Sequence, residues 1–157
     1  MAEDERDNPG GVRVPPPLIY LGPLAAGLLA SAAAPARFLP DRAARFLGWP
    51  LLGTGAALAW WFGRTMRESG TPFRLDEPAE RLVTGGPFAL SRNPGYFSFA
   101  MIYAGVACLR NSLWAALLLP GVLLVVQRRV IESEEAYLER AFGEEYRRYR
   151  ARVRRWL

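Results

Sequence analysis

The chain lacks lysine and histidine altogether, and it has a single cysteine, Cys108. A structural zinc site needs four cysteine or histidine ligands, and a Cys–His catalytic pair needs both residue types, so the composition excludes both kinds of site. One cysteine cannot form an internal disulfide, and its position in an apolar run predicts a packing role. All 20 basic residues are therefore arginine, and the formal net charge is +5.

Charged residues are also missing from four long runs, and these runs carry the fold prediction. They cover residues 14–36, 46–63, 93–109 and 111–127, with lengths of 23, 18, 17 and 17 residues. A helix needs roughly 20 apolar residues to cross the hydrocarbon core of a membrane, with about 17 as the lower limit. Only helices and closed barrels satisfy the backbone in lipid, and these runs do not alternate with period two. The sequence therefore predicts an all-α integral membrane protein with four transmembrane helices.

The arginines predict how these helices are oriented. With four spans, sixteen arginines fall on the side that holds both termini, and four fall on the other side. Loops rich in arginine stay in the cytoplasm, so we expect an inner-membrane protein with both termini cytoplasmic. The positive charge then indicates contact with membrane lipids rather than with nucleic acid, because no nucleic-acid-binding motif is present.

The organisation along the chain follows from these runs. Residues 1–17 are polar and then proline-rich, which predicts a disordered tail before a membrane domain over 18–157. The first two predicted helices cover residues 18–34 and 46–62. A face of small residues at 53–57 suits the second of these helices to close contact with another helix. Asn93 is the expected N-cap of the third helix, with Pro94 at its first position, and Asn111-Ser112 turns the chain into the fourth.

The last part of the chain has the pattern of an amphipathic helix. Its apolar residues recur every three or four positions, with arginine and glutamate on the opposite face. Gly143 is a candidate for dividing this segment into two helices. Such a segment can lie on a membrane surface with its arginines against anionic lipids. The apolar face consists of Leu138, Phe142, Tyr146, Tyr149, Val153 and Trp156.

Two polar clusters flank the third and fourth helices. The first is Arg92-Asn93-Pro94, which ordinary topology and helix capping explain when it is taken alone. The second is Glu134-Glu135, just beyond the membrane end of the fourth helix. Because the two helices form an antiparallel hairpin, both clusters should meet at one membrane face. Opposite charges that converge beside an apolar cavity are a functional-site hypothesis.

The motifs in this region occur in a specific order. Gly86-Pro87-Phe88 is followed by Arg92-Asn93-Pro94-x-Tyr96, then by Glu134-Glu135-x-x-Leu138, and last by Phe142-Gly143-x-x-Tyr146-x-x-Tyr149. In this order the chain resembles the integral-membrane methyltransferases of the isoprenylcysteine carboxyl methyltransferase and phospholipid methyltransferase group. It departs from that group in having Asn93 in place of the histidine of eukaryotic members and Ser98 where many members have glycine.

The resemblance implies a cofactor, S-adenosylmethionine, bound at the cytoplasmic end of the last helices within about residues 82–157. Arginine can clamp a carboxylate, and glutamate can accept hydrogen bonds from an ammonium group or from ribose hydroxyls, so a zwitterionic cofactor suits both clusters. The resemblance assigns no catalytic residue. The implied cofactor-binding residues are Arg92, Asn93, Pro94, Tyr96, Glu134 and Glu135, with Gly86 as a further candidate.

The resulting expectation is a methyltransferase for an isoprenylcysteine-like carboxylate or another lipophilic acceptor that enters from the membrane. N-methylation of a phospholipid amine, S-methylation of a small thiol and a non-catalytic membrane adaptor remain as alternatives. A small transporter is a weaker one, because transport sites place charges near the bilayer midplane and the four runs have none. The expected walls for an acceptor tail are Phe97, Met101, Leu118 and Val122.

Overall fold

The computed structural model describes residues 16–70 and 81–157. Residues 1–15 of the tail predicted over 1–17, and residues 71–80 between the second and third predicted helices, lie outside the described residues. Pro16 and Pro17, which were expected in the tail, instead form the first turn of a helix, where proline fits because its missing N–H would have no helical partner. The helices are α1 (Pro16–Ala33), α2 (Asp41–Glu68), a 3₁₀ helix (Gly86–Ala89), α3 (Pro94–Leu109), α4 (Leu113–Val126), a π-helical segment (Gln127–Ile131), α5 (Glu132–Phe142) and α6 (Glu144–Arg152).

The described residues contain no strand, which confirms the all-α prediction for that part of the chain. Helix α2 packs most extensively on α3, and α1 packs most extensively on α4. The short connections between α1 and α2 and between α3 and α4 meet at one end of the molecule. There Asn111 Oδ1 accepts hydrogen bonds from Phe38 N at 3.2 Å and Leu39 N at 3.1 Å. The opposite end therefore holds the end of α2, the beginning of α3 and the segment after α4.

Glycines allow α2 and α3 to approach closely. A Cβ atom on Gly105 would lie 2.7 Å from Leu52 N, and one on Gly55 would lie 2.9 Å from Ile102 N, so neither position has room for a side chain. Only Gly55 of the small-residue face predicted at 53–57 is buried, and the other four residues are exposed. Five consecutive residues span more than a full helical turn, so they cannot all face one neighbour.

Membrane-spanning length is clear for one described helix. The continuous helix Leu113–Phe142, which joins α4, the π-helical segment and α5, is long and apolar enough to cross a membrane. Helices α1 and α3 are apolar but shorter, and α2 extends beyond its predicted bounds at both ends to include charged residues. Many large apolar side chains are exposed, among them Phe46, Trp49, Leu117 and Leu124, which is the surface expected of a membrane-associated protein.

Two of the capping predictions have different outcomes. Ser112 Oγ accepts a hydrogen bond from Ala115 N at 3.1 Å and caps α4 as predicted. Asn93 precedes α3, and Pro94 begins that helix as predicted, but the Asn93 side chain makes no capping hydrogen bond. Its amide instead donates to Arg155 O at 3.0 Å, so a tertiary contact replaces the local one.

The C-terminal amphipathic segment is divided at Gly143, as predicted, where φ is +51°. Its aromatic face packs on the protein, because Tyr146 and Tyr149 are only 1% and 4% exposed. These two residues therefore contact the rest of the protein and not a membrane surface. The arginines on the opposite face of α6 are exposed.

Candidate cofactor site

A pocket lies at the end of the molecule where α2 finishes and α3 begins. Its volume is about 150 Å³. Both polar clusters predicted from the sequence contribute to its wall, since Arg92, Asn93, Glu134 and Glu135 all line it. The apolar part of the wall comes from α2, the 3₁₀ helix and the segment before it, and α5. The remaining lining residues are Met66, Arg81, Leu82, Val83, Phe88, Leu138, Tyr146 and Tyr149.

Glu135 lies between two arginines. Arg155 binds both of its carboxylate oxygens, with Nε 3.0 Å from Oε1 and Nη2 2.7 Å from Oε2. Arg92 Nη2 lies 3.3 Å from Glu135 Oε1, and the side chains of Arg92 and Glu135 are each 10% exposed. A buried carboxylate needs a compensating charge, and here two guanidinium groups supply it.

Arg92 retains unused hydrogen-bonding capacity. Its Nε atom is buried and has no hydrogen-bond partner within the described part of the chain. Its Nη1 atom is 3.5 Å from the Tyr146 hydroxyl, which is the limit of a hydrogen bond. A buried donor without an acceptor is destabilising, so this guanidinium is prepared to bind an additional anionic group.

Glu134 is held by a tyrosine from the first turn of α3. Tyr96 Oη donates to Glu134 Oε1 at 2.6 Å. Glu134 lies beyond Arg128 and Arg129, which end the apolar stretch of the long helix. Burial raises the pKa of Glu134 to about 7; the hydrogen bond from Tyr96 opposes this rise, and the charge of Glu135 adds to it. The carboxyl group therefore changes its charge near neutral pH.

Ser91 and Asn93 fix the main chain at Arg155 to the beginning of α3. The Ser91 hydroxyl donates to Arg155 O at 3.2 Å, and it also accepts from Asn93 N at 3.1 Å. Together with the amide contact from Asn93, these bonds place a main-chain carbonyl of residue 155 at the edge of the site. A histidine N–H at this position could supply the same kind of donor.

Two tyrosines of α6 complete the wall. Tyr149 Oη donates to Phe88 O at 2.7 Å, which ties α6 to the 3₁₀ helix. Burial raises the pKa of both Tyr146 and Tyr149, so both phenols stay protonated at neutral pH. Leu138, Tyr146 and Tyr149, three residues of the predicted apolar face, therefore form part of the pocket wall.

Three of the implied cofactor-binding residues do not line the pocket. Pro94 and Tyr96 are buried at the beginning of α3, and Tyr96 acts on the site through Glu134. Gly86 has φ +59°, and a Cβ atom there would lie 2.7 Å from Thr65 Oγ1, so the backbone requires glycine at this position. Its geometry is explained by the approach of the 3₁₀ helix to α2.

Arg155 was not among the residues predicted for the site. It is partly buried and belongs to a run of arginines at the C-terminal end, and nothing in its spacing separates it from its neighbours. The residues expected to wall an acceptor tail lie outside this pocket. None of Phe97, Met101, Leu118 and Val122 lines this pocket, and Leu118 is exposed while Val122 is buried in the core.

Comparisons with known proteins find related sequences. The model of a family described as phospholipid methyltransferase matches residues 43–145. A 64-residue stretch is 45% identical to an uncharacterized protein of Haemophilus influenzae and covers 40% of this chain and 98% of that protein. A 72-residue stretch is 38% identical to the protein-S-isoprenylcysteine O-methyltransferase of Schizosaccharomyces pombe; it covers 46% of this chain but only 30% of that relative. No solved structure matches the chain.

Proposed function

The chain belongs to the phospholipid methyltransferase family, and on that premise we propose that it uses S-adenosylmethionine to methylate an isoprenylcysteine-like carboxylate or another lipophilic acceptor. The observation that carries this proposal is the pairing of an unsatisfied arginine donor with two glutamates in one pocket. Among the described residues Arg92 Nε has no hydrogen-bond partner, and Glu134 and Glu135 line the same pocket.

The donor set fits a zwitterionic cofactor. When bound, S-adenosylmethionine supplies a methyl group on a positively charged sulfur. Arg92 would hold its carboxylate, because a guanidinium offers several donors in one plane. Glu134 and Glu135 would accept hydrogen bonds from its ammonium group or ribose hydroxyls. Each of these three side chains is already oriented by another residue, which reduces the entropy lost on binding.

The remaining wall residues keep water away from the reacting groups. Val83, Phe88 and Leu138 present apolar surface to the pocket, and Tyr149 fastens the 3₁₀ helix in place. Excluding water strengthens the charged contacts inside the site and prevents loss of the methyl group to solvent. The protein's task in methyl transfer is then to align an acceptor with the cofactor.

A lipophilic acceptor suits the surface around the site. The exposed apolar side chains and the one helix long enough to cross a membrane support contact of the protein with lipid, where a long-chain acceptor is concentrated. Each buried methylene contributes about 0.8 kcal/mol, so a long tail adds far more affinity than a short one. The name of the Schizosaccharomyces pombe relative supports an isoprenylcysteine-like acceptor.

N-methylation of a phospholipid amine is the second candidate. The description of the matching family model favours it. Such an acceptor must lose a proton during methylation, and Glu134 is a carboxylate positioned at the pocket to receive one when it is ionised. A carboxylate acceptor carries no such proton, so the two candidates differ in whether Glu134 takes part in proton transfer.

Isothermal titration with S-adenosylmethionine in detergent tests the cofactor. We expect wild-type protein to bind it, and we expect Arg92→Ala and Glu135→Gln each to weaken binding by roughly tenfold to a hundredfold, since each removes a charged hydrogen bond. Circular dichroism checks that both variants keep their helicity. Affinity that is unchanged in both folded variants would assign these residues to structure alone.

Transfer of a radiolabelled methyl group tests the acceptor. We expect farnesylated cysteine analogues to be methylated far better than unprenylated ones. Under the second candidate, lipid amines are instead preferred over their water-soluble head groups, and Glu134→Gln abolishes their methylation. If short, soluble thiols react as well as every long-chain acceptor, the lipophilic proposal is wrong and small-thiol methylation replaces it.

A further inference from the structure

Residues 153–157, which we call the C-terminal segment, contact the first polar cluster through the backbone. Arg92 N donates to Arg154 O at 2.9 Å. The Ser91 hydroxyl and the Asn93 amide both donate to Arg155 O, at 3.2 and 3.0 Å. The residues just before α3 are therefore fastened to this segment by three hydrogen bonds.

The side chains of the same segment contact the second polar cluster. The guanidinium of Arg155 binds both oxygens of Glu135 and lies 3.7 Å from Glu132. Trp156 Nε1 donates at 3.2 Å to Oε1 of Gln127, the first residue of the π-helical segment. Arg155 thus binds one cluster with its main chain and the other with its side chain.

The two arginines around Glu135 are not equivalent. Arg155 makes two contacts, at 2.7 and 3.0 Å, whereas Arg92 makes one at 3.3 Å. Arg155 satisfies both carboxylate oxygens, so Arg92 makes only the longer contact with Glu135. Its Nε has no hydrogen-bond partner in residues 16–70 and 81–157. Arg155 therefore provides most of the charge compensation for Glu135, which leaves Arg92 available to another partner.

We propose that Arg155 is a positioning residue that keeps Arg92 available to the cofactor by holding Glu135 in a two-pronged ion pair. The inference rests on the proposed function, because it concerns binding of S-adenosylmethionine by Arg92. Arg155 itself does not line the pocket. Its effect on the cofactor therefore passes through Glu135.

The consequence of removing its guanidinium follows from the burial of Glu135. A buried carboxylate that loses its partner takes up the nearest cation, since an unpaired buried charge is strongly destabilising. That cation is Arg92, whose Nη2 already lies 3.3 Å away. Arg92 would then form a bidentate ion pair with Glu135, and the cofactor carboxylate would have to compete with Glu135 for the Arg92 guanidinium.

The experiment measures the dissociation constant of S-adenosylmethionine by titration calorimetry for wild type, Arg155→Met, Glu135→Gln and the double variant. We expect Arg155→Met to weaken binding by roughly tenfold or more. In the Glu135→Gln background the same change should weaken it by less than about threefold, because residues that act through one contact are not additive. Arg155→Lys, which keeps the charge but not the planar fork, should lie between wild type and Arg155→Met.

Two further readouts separate positioning from a general structural role. At saturating S-adenosylmethionine the kcat of Arg155→Met should return to the wild-type value, whereas partial unfolding would lower it at every concentration. Arg147→Met is the matched control, because it removes an exposed arginine–glutamate pair, with Glu144, outside the pocket. It should bind the cofactor like wild type.

The outcomes separate the two proposals. If wild-type protein does not bind S-adenosylmethionine, the proposed function and the role of Arg155 are both overturned. If wild type binds and folded Arg155→Met binds equally well, only the role of Arg155 is overturned. Additive losses in the double variant also overturn it, since they would mean that Arg155 acts independently of Glu135. If Arg155→Met does not fold, the comparison of Arg155→Lys in the two backgrounds decides in the same way.

Discussion

Tyr96 Oη and Glu134 Oε1 form a 2.6 Å hydrogen bond that joins the first turn of α3 to α5. The bond joins α3 to the second polar cluster at a point separate from the ion pair between Arg92 and Glu135. Two separate contacts therefore connect the region around the beginning of α3 to α5. One connection is charged on both sides, and the other depends on whether Glu134 is ionised.

Removing the Tyr96 hydroxyl should shift the pH dependence of cofactor binding. The hydrogen bond lowers the pKa of Glu134, so Tyr96→Phe should raise that pKa above its present value of about 7. Less Glu134 is then ionised at pH 7, and affinity for S-adenosylmethionine should fall by about tenfold at that pH. Calorimetry from pH 6 to pH 9 should show the binding midpoint displaced upward; a profile that coincides with wild type would contradict this role.

Glu134 should also make stability depend on pH. The carboxyl ionises near 4.5 when unfolded and near 7 when folded, so the folded protein binds the extra proton between these values. Its contribution to the free energy of unfolding therefore falls as pH rises from about 4.5 to about 7 and stays constant above that. Glu134→Gln should gain thermal stability relative to wild type as pH increases across this window. A Tm difference independent of pH between 5 and 8 would exclude the shifted pKa.

The packing of α2 on α3 predicts opposite effects for two glycine substitutions. The methyl group of Gly105→Ala would lie 2.7 Å from Leu52 N, so this substitution should destabilise the protein by roughly 1–3 kcal/mol. The methyl group of Gly53→Ala, in the interior of α2, meets no atom of the described residues within 4 Å, so this substitution should stabilise the protein by about 0.5–1 kcal/mol. Thermal unfolding in detergent measures both. Equal effects would mean that the two helices are not in close contact.

The proposed membrane orientation predicts which ends of the molecule are accessible. In a Cys108→Ala background, Arg152→Cys marks the end that carries the pocket, and Arg37→Cys marks the end with the short connections. Both positions are exposed. Because arginine-rich segments stay cytoplasmic, a membrane-impermeant maleimide should label Arg152→Cys from the cytoplasmic side only and Arg37→Cys from the opposite side only. Labelling of both from one side would refute the four-span orientation.

The sequence by itself determined the class of the fold and the two polar clusters. Long charge-free runs require helices when the surroundings are apolar, and three-to-four-residue spacing identifies one face of α5 and α6. The antiparallel order of α3 and α4 was sufficient to bring Arg92 close to Glu135. Local capping was predictable at Ser112, because that bond joins residues three positions apart.

Only the tertiary structure determined which side chains form hydrogen bonds and ion pairs with one another. Asn93 has the pattern of a cap, but its amide bonds to a carbonyl 62 residues away. Glu134 and Glu135 are adjacent in sequence, yet one faces Tyr96 and the other faces Arg155. The sequence does not distinguish Arg155 from the other arginines near the C-terminal end, because residue type alone carries no information about distant partners. Only folding brings Arg155 to Glu135. Burial then determined the pKa of Glu134, a property that depends on every element packed around it.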